Sequence, residues 1–246
     1  MPALEVDATI SSLAPGGRGV AIVEIDGDRR AVFVPHSAPG DRARLDVDLS
    51  RRPAEGRVLR LESASLDRIE PACTWSTLCG GCDWMHLSLA AQARAHVGHL
   101  RAALPAAWRD IAIASTPAPE GLGYRTRARI HVQCAARGRV VVGMHGERTH
   151  EPVDVPACVV LDPGLERARR GLASLFTGSR GAGDVQMALG TGRLPVLDVR
   201  WDGPLAPEVF GRLERATREG TLAGAQISTP ASSRPARVGD PTPWMT

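Results

Sequence analysis

Cys73-Thr74-Trp75-Ser76-Thr77-Leu78-Cys79-Gly80-Gly81-Cys82 is the run from which the rest of the chain is best read. Cys79 and Cys82 form a C-x2-C pair, a tight turn that points two thiolates at one centre, and Gly80 and Gly81 allow backbone angles that residues with a Cβ resist. Cys73 adds a third thiol upstream, and Cys158 a fourth from a distant segment. Four thiolates are what structural zinc and iron–sulfur clusters both require. The pattern therefore predicts a metal centre that pins the fold, and leaves the choice of metal open. Cys134, the fifth cysteine, falls in an apolar strand where a buried, inert thiol is expected.

Composition supports ligation over disulfides. The 246 residues are 43% hydrophobic and 23% charged, ordinary for one or two globular domains. No apolar run approaches the ~18 residues of a membrane helix, and the N-terminus has no charged-then-apolar leader, so a cytoplasmic protein with no membrane partner is expected. Thiols stay reduced there, and an odd count of five cysteines points the same way. The formal charge of +3 predicts no polyanion partner by itself. All thirty basic residues are arginine, the side chain that forks onto phosphate, although a GC-rich genome accounts for that bias more simply.

Upstream of the cysteines, alternating segments predict five strands: Leu4 to Ile10, Val20 to Ile25, Ala31 to Pro35, Arg42 to Val47 and Gly56 to Leu61. They are separated by turn residues at Pro15-Gly16-Gly17, Asp26-Gly27-Asp28 and Ala38-Pro39-Gly40-Asp41. Five short strands suggest a small closed barrel, either an RNA-binding module or a structural cap. Phe33 is its one aromatic, which is sparse for a base-stacking platform. Downstream, Leu89, Ala93, Val97, Leu100 and Leu104 recur at helical spacing from about Ser88, and Pro105 stops the run. Trp75 and Trp84 flank the thiols and are expected to shield them. His86 could serve as a ligand, but four thiols already complete a set.

From about Thr116 to Ser228 the pattern becomes mixed. Strands are predicted at Arg127 to Cys134, Arg139 to Met144, Val185 to Leu189, Val196 to Trp201 and Ala223 to Ile227. Helices are predicted at Pro163 to Phe176, capped by Asp162, and at Pro207 to Glu219. This arrangement implies an α+β sandwich on a largely antiparallel sheet. The tail from Thr229 to Thr246 lacks periodicity and reads as a linker.

Two motifs bear on function. In Tyr124 to Gln133, a strand would set Arg125, Arg127 and Arg129 on one face with His131 and Gln133, and Thr126, Ala128, Ile130 and Val132 on the other. That stripe suits a phosphate backbone, and its plainer reading is a solvated sheet face. Gly190-Thr191-Gly192 faintly echoes a nucleotide-binding turn, but a strand follows it where a helix would be needed, so a hairpin turn is expected. No segment offers a convincing site for S-adenosylmethionine or a catalytic nucleophile.

Gly-Arg-Gly-Val-Ala at 17–21, Val-Phe-Val-Pro at 32–35 and Pro-Gly-Asp at 39–41 resemble a TRAM domain, a small RNA-binding β-barrel. Pro71 to Leu87, ending Cys-Gly-Gly-Cys-Asp-Trp-Met-His-Leu, with Gln92 beyond, is similar to the cluster region of bacterial RNA (uracil-5-)methyltransferases, the 23S rRNA type above all. Tyr124-Arg125, Val142-Gly143 and Val153-Asp154-Val155-Pro156-Ala157-Cys158 resemble that family's central domain. The likeness covers residues 10 to 160 well and is looser from Leu161 onward.

The resemblance implies an OB-like TRAM barrel at 1–65, a cysteine-rich cluster loop and helix at 66–105, an α+β central RNA-binding domain at 106–228, and a linker at 229–246. It implies a 4Fe–4S cluster on Cys73, Cys79, Cys82 and Cys158, and RNA, rRNA foremost, as partner. The strand pattern makes Arg125, Arg127, Arg129 and His131 the candidate RNA contacts, and a monomer is expected. Family members transfer a methyl group from S-adenosylmethionine to uracil C5, with a cysteine adding to C6 and a glutamate removing the C5 proton. Those parts sit in a C-terminal Rossmann-like domain, expected to begin about where this chain stops, so the chain alone is expected to be inactive. A stand-alone zinc- or cluster-stabilised RNA-binding module is the alternative. A radical methylthiotransferase fits less well, because its C-x3-C-x2-C motif differs from the C-x5-C interval here and its TRAM domain lies at the other end.

Overall fold

Alternation of apolar and polar residues near the N-terminus closes into a barrel. In the computed structural model, which describes residues 4–116, 118, 120–135 and 138–243, strands β1 (Leu4–Leu13), β2 (Gly19–Ile25), β3 (Asp28–Val34), β4 (Arg42–Asp48) and β5 (Ala54–Ser63) pair in the closed order β1-β2-β3-β5-β4. Only β3 and β5 run parallel; β1 against β4 completes the closure. Inward positions such as Ile10, Val23, Val32, Val34, Leu45 and Val47 form the core. β1 runs three residues past its expected end because a bulge between Ile10 and Ser12 absorbs the break in alternation at Ser11-Ser12 and keeps Leu13 paired with Gly19.

The turn after β3 is held by a buried carboxylate. Asp41 is fully buried and accepts from the Ala38 N–H at 2.7 Å, the Ser65 N–H at 2.9 Å, and Arg68 Nε and Nη2 at 3.2 and 2.7 Å. Burial alone would raise its carboxyl; the hydrogen bonds from Arg68, Ser65 and Ala38 outweigh that and hold it below its ordinary value. With the folded value depressed, its contribution to stability is whole above the ordinary carboxylate range and drains away as pH falls through the folded value. Asp41→Asn is expected to lose about 2 kcal/mol at neutral pH and to flatten the acid limb of the stability curve, as urea unfolding at pH 7 and below pH ~4 would show.

Helix α1 (Leu89–Ala103) starts as expected, with Ser88 Oγ accepting the Ala91 N–H at 3.2 Å. Its buried face differs from the expected leucine stripe. Leu89 and Leu100 are exposed, and Ala91 is the buried residue. Polar contacts set this rotation: Gln92 Nε2 donates to the carbonyls of Trp84 and Leu87 at 3.1 and 3.0 Å, and His99 Nε2 lies 2.9 Å from the Leu13 carbonyl. His86 is buried with Nε2 at 3.1 Å from the Ser37 carbonyl, a structural role that leaves no need for a ligand role.

The second unit comprises Leu78–Gly81 and the residues from Glu120 onward. Strands β6 (Arg127–Cys134), β7 (Val140–His145), β8 (Pro152–Asp154), β9 (Gly181–Leu189), β10 (Pro195–Asp202), β11 (Gly224–Ser228) and β12 (Ala236–Gly239) form one sheet ordered β12-β11-β10-β9-β6-β7-β8. It is antiparallel except for β10 and β11, whose connection carries helix α3 (Glu208–Arg218). Helix α2 (Pro163–Phe176) begins where Asp162 Oδ1 accepts the Gly164 N–H at 2.8 Å. Both helices cover one sheet face. There the register lines up Ile130, Val185, Val199 and Ile227 across four strands. Phe176 stacks on Trp201 with centroids 4.7 Å apart. Residues 191–193 are a one-turn 3-10 helix joining β9 to β10, the hairpin expected there.

Two strands were not legible. β8 is three residues long and begins with proline. β12 lies inside the tail expected to be a linker, pairing Ala236–Gly239 along β11 through backbone hydrogen bonds that no hydrophobic pattern announces. Trp244 to Thr246 of that tail are outside the described residues. Among the described residues, no helix is long and apolar enough to cross a membrane.

Candidate nucleic-acid interface and cysteine segments

The uncovered face of the sheet gathers the predicted arginines. β6 alternates as expected: Ile130 and Val132 are buried against the helices, while Arg127, Arg129 and Gln133 are exposed and His131 half-buried on the opposite face. The ladder then extends that face across the sheet. Arg129 is opposite Gln186, Gln186 opposite Asp198, Asp198 opposite Gln226, and Gln226 opposite Arg237. One transverse row thus carries five polar side chains with an arginine at each end. The neighbouring row joins His131, Asp184, Arg200 and Ser228. Arg127, Arg129, Gln186, Asp198, Gln226 and Arg237 line a cleft of ≈ 890 Å³.

Three arginines against Asp198 and Asp240 leave this cleft with a net positive lining. Among the described residues, Arg127 and Arg129 have no ion-pair or hydrogen-bond partner, unlike Arg193, which is held by Asp162 at 2.7 Å. Arg237 is only steadied, its Nε donating to Gln226 Oε1 at 3.1 Å. Unpartnered guanidinium forks are free to bind phosphate bidentately. The rows carry no phenylalanine, tyrosine or tryptophan, so contact with backbone phosphates and amide reading of edges suit this face better than base stacking.

Arg125 differs from the other two. It precedes β6, its backbone bridges to Leu161, and its Nη2 donates to the Gly81 carbonyl at 3.0 Å. Its Nη2 thus holds the Cys79–Gly81 segment, while its backbone accepts from Asp162 N–H at 2.9 Å and donates to Val160 at 2.8 Å, just beyond Cys158. Sequence reasoning missed Asp184, Gln186, Asp198, Gln226 and Arg237. Period-two alternation around Val185 and Met187 could have shown the first two; only the register reveals the rest.

Each cysteine segment is built within its own unit. Cys79 bridges to Gly146, and the Gly80 N–H donates to the His145 carbonyl at 3.0 Å. A Cβ on Gly80 would lie 3.1 Å from that carbonyl and 3.2 Å from the Glu147 backbone, which explains a glycine next to the thiol. Cys158 is presented by helix α2, whose Glu166 carboxylate accepts its backbone N–H. Arg169, buried on the same helix, donates to Glu166 at 2.7 and 2.9 Å and to the carbonyls of Val155 and Pro156, both at 2.8 Å. Cys73 and Cys82 belong to the first unit, where Trp84 packs on His96 with ring centroids 4.6 Å apart. All four thiols are half-buried and none is in a disulfide. Partly accessible thiols outside disulfides, beside Gly80 and Gly81 where a Cβ would crowd the His145 carbonyl and the Met144 side chain, are a donor set that fits a cluster or zinc. Cys134 instead lies 3.6 Å from the Phe176 carbonyl, and burial pushes its thiol up, as an inert structural cysteine requires.

The described residues thus form a closed five-stranded barrel, cysteine segments and an α+β sheet with an arginine-edged open face. The chain is 39% identical over 168 residues to the 23S rRNA (uracil(1939)-C(5))-methyltransferase RlmD of Halomonas elongata, covering 68% of this chain and 34% of that protein. It is 32% identical over 244 residues to the protein of the same name from Aromatoleum aromaticum, covering 93% and 53%. An uncharacterized RNA methyltransferase of Synechocystis is 30% identical over 164 residues, covering 65% and 35%. No protein-family model matches. Over much of its length the chain is thus similar to RNA (uracil-5-)methyltransferases of the 23S rRNA type. It spans about a third to a half of the length of the curated relatives it matches.

Proposed function

We propose that these residues form the RNA-recognition and iron–sulfur portion of an S-adenosylmethionine-dependent RNA uracil-5-methyltransferase, with rRNA the favoured substrate. The observation that supports it most is the open sheet face, where Arg127 and Arg129 lack ion-pair and side-chain hydrogen-bond partners among the described residues and a polar row runs on to Arg237. The relatives' names add that proteins aligned to this chain methylate 23S rRNA at a uracil. In this reading the barrel is an OB-like TRAM module, and methyl transfer to uracil C5 is the reaction of the whole protein. The barrel and the sheet hold RNA in place for it.

Salt dependence tests the RNA face. Each phosphate that an arginine no longer neutralises should lower the slope of log affinity against log salt by roughly 0.7–0.9. Arg127→Ala/Arg129→Ala is expected to reduce the slope for a 23S rRNA fragment by about 1.5, measured by filter binding across a salt series. An unchanged slope would reduce the face to a solvated surface. Arg125→Ala should also loosen the Cys79 segment, and so is kept out of that variant.

Cys73, Cys79, Cys82 and Cys158 would hold a 4Fe–4S cluster. Methyl transfer to uracil involves no net oxidation or reduction, so the group would supply structure, tying the loop after the barrel to the segment at Cys158. Iron and sulfide in the anaerobically purified protein, with broad visible absorbance, are the expected result; stoichiometric zinc would favour the stand-alone zinc-module alternative instead.

A further inference from the structure

Beside the arginines, the same sheet sets His131, expected above as an RNA contact, in a group of side chains whose donor atoms converge on one point. His131 on β6 faces Asp184 on β9 in register, its Nδ1 3.4 Å from Asp184 Oδ1, long for a charge-assisted hydrogen bond. The His145 ring, at the end of β7, lies 4.7 Å from that of His131. One donor atom from each of the three residues lies within 4.8 Å of the other two. Independently, His145 Nε2 is buried and has no hydrogen-bond partner among the described residues. A buried ring nitrogen with nothing to bind loses its hydration without compensation, a cost that a ligand would remove.

We propose that His131, His145 and Asp184 form a binding site for a divalent first-row transition cation such as zinc, distinct from the four cysteines. Two imidazoles and one carboxylate are a borderline donor set, suited to zinc or ferrous iron over the oxygen-only sites of magnesium and calcium. Three side-chain ligands leave a coordination position for water. The strands explain how the set forms: β6 is flanked by β7 on one side and β9 on the other, so three neighbouring strands each contribute one ligand. His150, with its ring 5.7 Å from that of His145, stands next to the set. The His145 carbonyl already holds the Gly80 N–H, which ties the backbone of this ligand in place. The inference does not depend on the RNA reading.

Cobalt distinguishes this site from a thiolate site. Titrating the purified chain with Co²⁺ is expected to give a component with weak d–d bands and no thiolate-to-cobalt charge transfer, displaced by zinc. That component should survive in Cys158→Ser and weaken by at least ~100-fold in His145→Gln and in Asp184→Asn, beyond what losing a supporting hydrogen bond to a ligand costs. Gln133→Ala, on the same strand as His131, should leave it unchanged. Circular dichroism of His145→Gln and Asp184→Asn confirms that each is folded. If all bound cobalt carries thiolate charge transfer, or if His145→Gln and Asp184→Asn bind cobalt as the unmodified chain does, the proposal fails.

Discussion

If the proposed cluster is bound, Cys82→Ser is expected to release its iron from the purified protein and to lower the protein's solubility. A serine hydroxyl does not ionise near neutral pH, so the fourth anionic sulfur is lost and cannot be replaced by the nearest alternative, His86, whose Nε2 is turned to the Ser37 carbonyl. Burial also pushes the His86 ring below its ordinary value. The three remaining thiols, all half-buried, become reactive once unligated. Leu78, already 57% exposed beside Cys79, adds a sticky surface. The barrel and the sheet have separate cores, so far-ultraviolet dichroism should change little even as iron is lost. Iron content, thiol titration and RNA affinity measured on one preparation decide the matter. A soluble Cys82→Ser protein with normal RNA affinity would show that the cluster has no structural role.

The second large effect is expected at Arg169. Its guanidinium is 3% exposed and binds Glu166 through two nitrogens while donating to two carbonyls of the segment leading to Cys158. Arg169→Leu keeps most of the volume, leaves the mostly buried Glu166 carboxylate with only the exposed Arg170 as its ion-pair partner, and strands both carbonyls. Breaking a buried pair by removing one partner costs ~3–5 kcal/mol, about 10 °C in melting temperature for a chain of this size. Glu166→Leu/Arg169→Leu should recover part of that loss, because neither charge is then left alone. Glu166 also accepts the Cys158 N–H, so the single variant should lose iron faster to a chelator. Burial would raise the Glu166 carboxyl, but Arg169 and Arg170 hold it below its ordinary value. Its contribution is therefore present at neutral pH and is lost as pH falls through the folded value. An Arg169→Leu protein with an unchanged melting temperature would show that these hydrogen bonds offset nothing.

Legibility differed from element to element for physical reasons. β6 was legible to the residue because Ile130 and Val132 alternate with Arg129, His131 and Gln133, and one face is buried by helices. α2 was legible because Asp162 and Pro163 mark its start. The face of α1 was misread because small and polar residues, Ala91, Gln92 and His99, carry its contacts in place of its leucines. β12 was missed because an edge strand of four residues is held by backbone pairing along β11, which leaves little trace in side-chain pattern.

What the sequence by itself determined was most of the elements and the spacing of the four cysteines, since periodicity, caps and motif spacing are local properties. What only the tertiary structure decided was which distant side chains share a surface. Arg129 and Arg237 became the two ends of one polar row, and His131, His145 and Asp184 became neighbours, through strand order and register. Those follow from how apolar faces are buried together under α2 and α3, a cooperative outcome of the whole second unit that no single stretch of residues encodes.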